Sequence, residues 1–371
     1  TPRAPLSNQL NLGELSPPKR GDEHRVANRT DFKKIEIGAL IAGGGIAGSA
    51  LFRYMSDAGL NPVLVNADRG SSWRNIGGGR TAFSLPELAE IAEHNHAIFK
   101  ELQKMSNIDY KTTRYINLAH DEATFNALDA SRAWSDAYMV DPKNFQKEIS
   151  PYFSTKSKRY LGALITNDCW QATPGKVVDL IRNMGVSAGG RIVEDCKVLE
   201  VMKEGSTYSI LVLTHDKKYV EFRTEIFVNA LGAGAGKICE GLGIHAGLYP
   251  VRHQAFITRR LPMLGKNGDS LDMLIDRQEY KGFSAVYGQQ LLHTGQIIGC
   301  ASPRVDALRT DKNLILNTKE FMEIISEFFV DWIPELAGVS IQATWSGYYT
   351  EPRYIVDPEL GLFVGMRGHG F

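Results

Sequence analysis

Three apolar runs along the chain end in clustered glycines. "KIEIGALIAGGGIAGSALFRYMSDAGLNPVLVNADRG" holds the first. Ile35–Ile41 reads as a buried strand. The Gly43–Gly48 segment is a turn, and 47–58 has helical spacing with Leu51, Tyr54 and Met55 on one apolar face. Gly59 supplies a helix C-terminal cap, and Pro62–Val65 is a second buried strand. The unit is β–α–β. The other two glycine clusters follow the apolar runs that end near 230 and 364, in "FVNALGAGAG" and "GLFVGMRGHGF".

Between these points the periodicity changes repeatedly. Ser84-Leu85-Pro86-Glu87 has the form of a capping box and opens a helix to about Met105. "TRYINLA" (113–119) and "LGALITN" (161–167) read as strands, 121–150 as helical or irregular, and "PGKVVDLIRNMG" (174–185) as a helix closed by Gly185. Residues 191–229 read as short strands, and 249–300 is strand-rich again. "NTKEFMEIISEFFVDWIPEL" is an amphipathic helix ending at Pro334. Its stripe of Phe321, Ile324, Ile325, Phe328, Phe329 and Trp332 is core-facing rather than membrane-facing, since the opposite face is acidic. Residues 1–31 are polar and read as a flexible arm.

Composition narrows the function classes. The chain has 371 residues, enough for a substantial core, and 43% apolar with 23% charged residues is the balance of a globular protein. Its 42 basic and 42 acidic side chains cancel, which argues against a broad surface for nucleic acid. No apolar run reaches the roughly 18 residues of a spanning helix, and no secretory leader is recognised at Thr1. Cys169, Cys196, Cys239 and Cys300 are too scattered for a zinc site or a disulfide scaffold, so a reducing, cytoplasmic setting is expected. No metal is expected. His94 and His96 lie two apart on a helix and read as a solvated pair. His253 and His293 read as structural.

"GGGIAG" places Gly43, Gly45 and Gly48 in the GxGxxG pattern, after a strand and before a helix. The first glycine permits the turn, the second lets backbone approach a pyrophosphate, and the third lets helix and strand pack closely. The helix N-terminus offers unpaired N–H groups to phosphate. In that context the pattern points to dinucleotide binding. The acid that holds the ribose is expected about twenty residues on. Asn66 stands there, an uncharged acceptor, with Asp68 close by.

"GSSWRNIGGGR" (70–80) then brings small residues and backbone amides to the same neighbourhood. With it the chain resembles the D-amino-acid oxidase-like (DAO) superfamily of FAD-dependent oxidoreductases, in the glycine oxidase, sarcosine oxidase and amine dehydrogenase-like branch. The resemblance runs from about residue 35 to the end through "GGGIAG", "SSWRNIGGG", "RYINLA", "LGALITNDCWQATPGKVVDLI", "CKVLEV", "FVNALGAGAG", "LYPVRHQ", "TWSGYYTEP" and "GLFVGMRGHGF".

That resemblance implies an α/β fold. A Rossmann-like FAD domain (32–85, 151–245 and 345–371) would interleave with an α+β substrate domain (86–150 and 246–344) built on a mainly antiparallel sheet. It implies that Gly43, Gly45, Gly48 and Asn66 hold the ADP half of FAD, and that Ser72, Arg74, Asn75, Gly78 and Gly79 line the pyrophosphate and flavin. Val198 would meet the adenine through its backbone. Ala230 and Gly232 would pass close to the ribityl region, and Gly368, His369, Gly370 and Phe371 would border the flavin's pyrimidine edge. Several relatives carry the flavin on a cysteine in the stretch that here reads "WSGYYTEP". Ser346 and Gly347 stand there, so non-covalent FAD is expected.

The implied reaction is oxidation of a C–N bond by hydride transfer to flavin N5. A carboxylate-bearing amine or amino acid would need an arginine with tyrosine hydroxyls beside it. The candidates are Arg80 and Tyr349 first, then Tyr280, Arg252 and Arg353. Two alternatives stand beside this reading: a non-catalytic FAD-binding subunit that needs a partner chain, and, disfavoured by the neutral charge, an FAD-dependent tRNA-modifying enzyme. The end at Phe371 falls inside the flavin-edge loop, so truncation or completion of the site by a second polypeptide is expected, with weak FAD retention.

Overall fold

The apolar run Ile35–Ile41 makes two strands rather than one. In the computed structural model, which describes residues 32–83, 85–244, 246, 248–279, 283–303, 318–352, 355–356 and 363–364, Lys33–Glu36 and Ala39–Ala42 enter different sheets. Gly38 makes the break possible: a Cβ there would lie 2.7 Å from the Leu60 carbonyl oxygen.

The chain divides into two units. The first comprises residues 1–73, 178–250 and 349–371; the second comprises 74–177 and 251–348. Residues 74–85 and 151–177, expected with the first part, belong to the second. Strand pairing is the reason: Gly162–Gln171 runs antiparallel to Lys111–Ala119 and to Gly78–Gly79.

In the first unit a four-stranded parallel sheet has the order Phe227–Asn229, Ala39–Ala42, Pro62–Val65, Arg191–Val193. Ala39–Ala42 and Pro62–Val65 are wholly buried, which explains their continuous apolar reading. A second sheet orders Lys33–Glu36, Tyr219–Thr224, Thr207–Leu213 and Lys197–Glu204. Leu40, Val63, Val65, Val198, Ile210 and Phe222 share one core cluster.

Helix Ile46–Asp57 does not bury the expected face. Gly48, Ser49, Phe52 and Ser56 point inward, while Leu51 and Tyr54 are exposed. Small residues let the helix sit close enough for Phe52 to reach Ile41, Leu64 and Ile192. Gly59, at φ 74°, closes the helix as expected, its N–H donating to the Ser56 carbonyl at 2.9 Å.

Gly185 does not end its helix, which runs Pro174–Ser187. Its Cβ would lie 2.5 Å from the Phe52 ring, so the glycine is there for packing, and Gly189 at φ 97° follows the helix instead.

The second unit is built on a nine-stranded sheet. Its path is Ile341–Pro352, Leu248–Arg260, Gln296–Pro303, Phe283–Gln290, Met273–Asp276, Lys111–Ala119, Gly162–Gln171, Gly78–Gly79, with Ala137–Val140 beside Gly162–Gln171. Met273–Asp276 pairs parallel with Lys111–Ala119, and the neighbouring ladders are antiparallel.

Helix Lys319–Trp332 packs its aromatic stripe wholly into this unit's core. Thr318 caps it, its hydroxyl accepting from the Phe321 N–H at 3.2 Å. Helix Pro86–Met105 starts differently from the expected capping box. Leu85 is its extended N-cap, makes no side-chain cap, and is followed by Pro86 in the first turn. Ser84 lies outside the described residues. No helix among the described residues is long and apolar enough to cross a membrane.

Candidate functional site

The glycine turn of the first unit has the geometry its sequence requires. Gly43 sits at φ 103°, where a side chain is strained, and a Cβ would stand 2.3 Å from the Ala230 carbonyl oxygen. A Cβ on Gly48 would stand 1.9 Å from the Gly43 carbonyl oxygen and 3.2 Å from the Ala230 side chain. Gly43, Gly48 and Ala230 are thus brought into contact. Gly45 is the N-cap of helix Ile46–Asp57 and makes no side-chain cap.

Ser72 reaches that same helix end. Its hydroxyl accepts from the Ile46 N–H at 2.9 Å, and a Cβ on Gly45 would lie 3.0 Å from it. The next first-turn amides, Ala47 and Gly48, have no intrahelical acceptor. This cradle of backbone N–H groups and one hydroxyl fits a pyrophosphate.

Asn66, expected at the ribose position, is buried directly after Pro62–Val65. Its Oδ1 accepts from the Gly44 N–H at 3.2 Å and its Nδ2 donates to Glu194 at 2.8 Å. Its own N–H donates to the Val193 carbonyl and its carbonyl accepts from the Cys196 N–H. Arg182 donates to the other Glu194 oxygen. Its guanidinium carbon stands 6.0 Å from the centroid of the Trp73 ring. Glu194 and Arg182 escaped sequence reasoning. The available signal was a carboxylate directly after Arg191–Val193, the strand that pairs parallel with Pro62–Val65.

Val198 lies on Lys197–Glu204, the edge strand of the second sheet, at a register shift opposite Val212. Gly232 follows Phe227–Asn229 at φ 54°, with nothing within 4 Å of a Cβ.

The 74–80 loop belongs to the second unit, and its glycines answer to packing. A Cβ on Gly78 would meet the Tyr115 hydroxyl at 2.2 Å, and one on Gly79 would meet the Trp170 indole at 2.0 Å. Gly77, at φ 78°, donates to Asn75 Oδ1 at 2.6 Å, and its carbonyl accepts from the Ala172 N–H. Buried Gln289 holds the loop by donating to the Ile76 carbonyl at 3.0 Å. Trp345 donates to the Arg74 carbonyl at 2.8 Å, and Arg74 donates to the Ser346 carbonyl at 3.4 Å. Gly347 backs onto the Arg74 side chain.

Of the substrate candidates, Arg80 lies with its guanidinium carbon 4.3 Å from the Phe83 ring centroid, a cation–π stack. Arg252 is half-buried on Leu248–Arg260. Both are in the second unit, whereas Tyr349 is in the first and exposed. Tyr280, Arg353, Gly368, His369, Gly370 and Phe371 lie outside the described residues.

His96 is not a solvated partner of His94. It is buried, stacks on Trp170 at 4.7 Å with 6° between the planes, and shares a 2.7 Å hydrogen bond with Tyr110. Burial, with nearby Lys100, holds its pKa below the ordinary histidine value. His253 is buried with Ser302 Oγ 3.4 Å from its Nδ1, in line with a structural role, while His293 is exposed.

Burial pushes the thiols of Cys169 and Cys196 up to about 11 and that of Cys300 up to about 12, which removes thiolate chemistry at these positions. No group of three or more metal-binding side chains occurs among the described residues.

Comparison with known proteins bears on this cradle. The model of the family described as FAD dependent oxidoreductase (DAO) matches residues 39–371. A 4-methylaminobutanoate oxidase (formaldehyde-forming) of Paenarthrobacter nicotinovorans is 23% identical over 238 residues, covering 62% of this chain and 28% of that protein. Anaerobic glycerol-3-phosphate dehydrogenase subunit A1 of Haloferax volcanii is 27% identical over 240 residues, covering 57% of this chain and 39% of that protein. The chain therefore spans well under half the length of these curated relatives. The crystal structure of L-proline dehydrogenase from P. horikoshii superposes with a TM-score of 0.70 at 23% identity, covering 86% of this chain and 82% of that one.

Proposed function

Because the chain belongs to the FAD dependent oxidoreductase (DAO) family, we propose that it oxidises the C–N bond of an amine or amino acid, using FAD held without a covalent bond. The observation that carries this reading is the cradle at helix Ile46–Asp57, where Gly43 and Gly48 let the turn and helix close together, Gly45 opens the helix and Ser72 stands over the first amide. The 4-methylaminobutanoate oxidase and the L-proline dehydrogenase are both named for substrates that carry an amine and a carboxylate.

In this reading Gly43, Gly45, Gly48, Ser72 and Ala230 hold the pyrophosphate side of FAD. Asn66, Val198 and Gly232 serve its adenosine and ribityl parts. Arg74, Asn75, Gly78 and Gly79 present backbone to the flavin, joined by Gly368, His369, Gly370 and Phe371. FAD supplies the hydride acceptor at its N5. The chain's own work is to bind and orient the substrate. Arg80 suits a carboxylate because its guanidinium is a planar, permanently charged fork, held 4.3 Å from the Phe83 ring centroid. Arg252, Tyr349, Tyr280 and Arg353 complete the candidate set. The four free cysteines suit a reducing, cytoplasmic setting.

Non-covalent binding rests on Ser346 and Gly347, which stand where a linking cysteine would be, and on the raised pKa values of Cys169, Cys196 and Cys300. Acid precipitation of the flavin-loaded chain is expected to leave all the yellow colour in the supernatant, migrating as FAD. Colour retained on the pellet would contradict this. The reaction itself is tested by incubating the loaded chain with amines and amino acids and assaying carbonyl product and released amine. Absence of both across the panel would count against the proposal.

A further inference from the structure

The expected ribose-binding acid is absent from position 66, yet an acid stands beside it. We infer that Glu194 is the ribose-binding acid of this chain and that Asn66 is its positioning residue; this rests on the FAD reading above.

Asn66 and Glu194 each directly follow neighbouring parallel strands, Pro62–Val65 and Arg191–Val193. Both therefore emerge at the carboxyl edge of the sheet, where the glycine turn leaves Ala39–Ala42 and where such sheets bind nucleotides. The Asn66 amide is committed on both sides, to the Gly44 N–H and to Glu194. Glu194 is better placed to take a ligand. A carboxylate offers about four acceptor positions. Asn66 takes one on one oxygen and Arg182 takes one on the other, which leaves one on each for the two hydroxyls of a ribose diol. The Glu194 side chain keeps 19% of its surface open, against 9% for Arg182.

The arrangement also accounts for asparagine at 66. An aspartate there would set its carboxylate against Glu194 across the 2.8 Å contact that Asn66 Nδ2 now bridges as a donor. The acid stands one strand across the sheet, and the neutral residue 66 can donate to it.

The test uses the full chain stripped of flavin, titrated calorimetrically with FAD, ADP and 2′-deoxy-ADP. Wild type should prefer ADP over 2′-deoxy-ADP by about 10-fold or more, the scale of one hydrogen bond to a charged group. Glu194→Gln should remove most of that preference, weakening ADP more than 2′-deoxy-ADP, which keeps only one of the two hydroxyls. Asn66→Asp should weaken ADP, and the double variant Asn66→Asp/Glu194→Gln, which reverses the pair, should recover the preference. A Glu194→Gln chain that keeps the full preference overturns the assignment alone. If Glu194→Gln does not fold, the double variant decides: recovery supports the assignment, and loss of the preference overturns it. Wild type that takes up neither FAD nor ADP overturns the FAD reading, and this assignment with it.

Discussion

Asp276→Ala is expected to destabilise the protein by about 3–5 kcal/mol, the cost of leaving buried cations without their counter-charge. Asp276 is fully buried at the end of Met273–Asp276. Its Oδ1 accepts from His120 Nε2 at 3.0 Å and from the Gln278 N–H at 2.9 Å, while Lys158 Nζ stands 3.5 Å from its Oδ2. Lys158 also lies 3.9 Å from Asp331 and 3.2 Å from the Phe328 ring centroid. Tyr160 packs against the His120 ring at 4.8 Å.

Both nitrogens of His120 face oxygens, since Nδ1 is 2.9 Å from the Arg159 carbonyl. Both must donate, so the ring is charged. Burial works against that charge, but the Asp276 hydrogen bond and charge outweigh it and hold the His120 pKa above its ordinary value. Burial likewise opposes ionised Asp276, and His120 and Lys158 still hold its pKa below the usual carboxylate range.

The signs of these shifts define a pH window. The stability contributed by His120 is fully present below about 6.5, the unfolded histidine value, and is lost as pH rises through the higher folded value. The Asp276 contribution is present above about 4 and is lost as pH falls through its depressed folded value. The melting-temperature advantage of wild type over Asp276→Asn should therefore shrink on the alkaline side, as His120 loses its proton. An advantage independent of pH between about 5 and 9 would contradict the charged pair.

Gly48→Ala should strike the nucleotide cradle just as directly. Its Cβ would stand 1.9 Å from the Gly43 carbonyl oxygen, a backbone atom that cannot move without opening the turn. Overpacking of this kind costs about 1–3 kcal/mol. Flavin occupancy of the purified chain should also fall, because the displaced backbone includes the amides proposed to face phosphate. Gly70→Ala is the control, since nothing lies within 4 Å of its Cβ and its φ is not in the left-handed region. Equal flavin content in the two variants would show that the turn does not hold the cofactor.

The β–α–β unit was legible because its signals are local: wholly apolar strands, a glycine at each tight point and a glycine cap. Packing partners were not. Leu51 and Tyr54 are large residues on their helix, yet close approach through Gly48 and Ser49 turns them outward. Gly78, Gly79 and Gly185 also make room for Tyr115, Trp170 and Phe52, a packing demand hidden in the sequence because those rings are distant along the chain. His96 was misread for the same reason, its stack being with Trp170. At the candidate site the glycines and Ser72 could be named from sequence. Glu194 could not, because its meeting with Asn66 depends on which strands become parallel neighbours.

The proposed activity is tested most directly by anaerobic titration of the FAD-loaded chain with amines and amino acids, 4-methylaminobutanoate, L-proline and glycine among them, and with glycerol 3-phosphate as the C–O comparison. The account predicts that at least one amine or amino acid bleaches the flavin's visible band and that glycerol 3-phosphate does not. A bound flavin that no amine bleaches, or that glycerol 3-phosphate alone reduces, would contradict it.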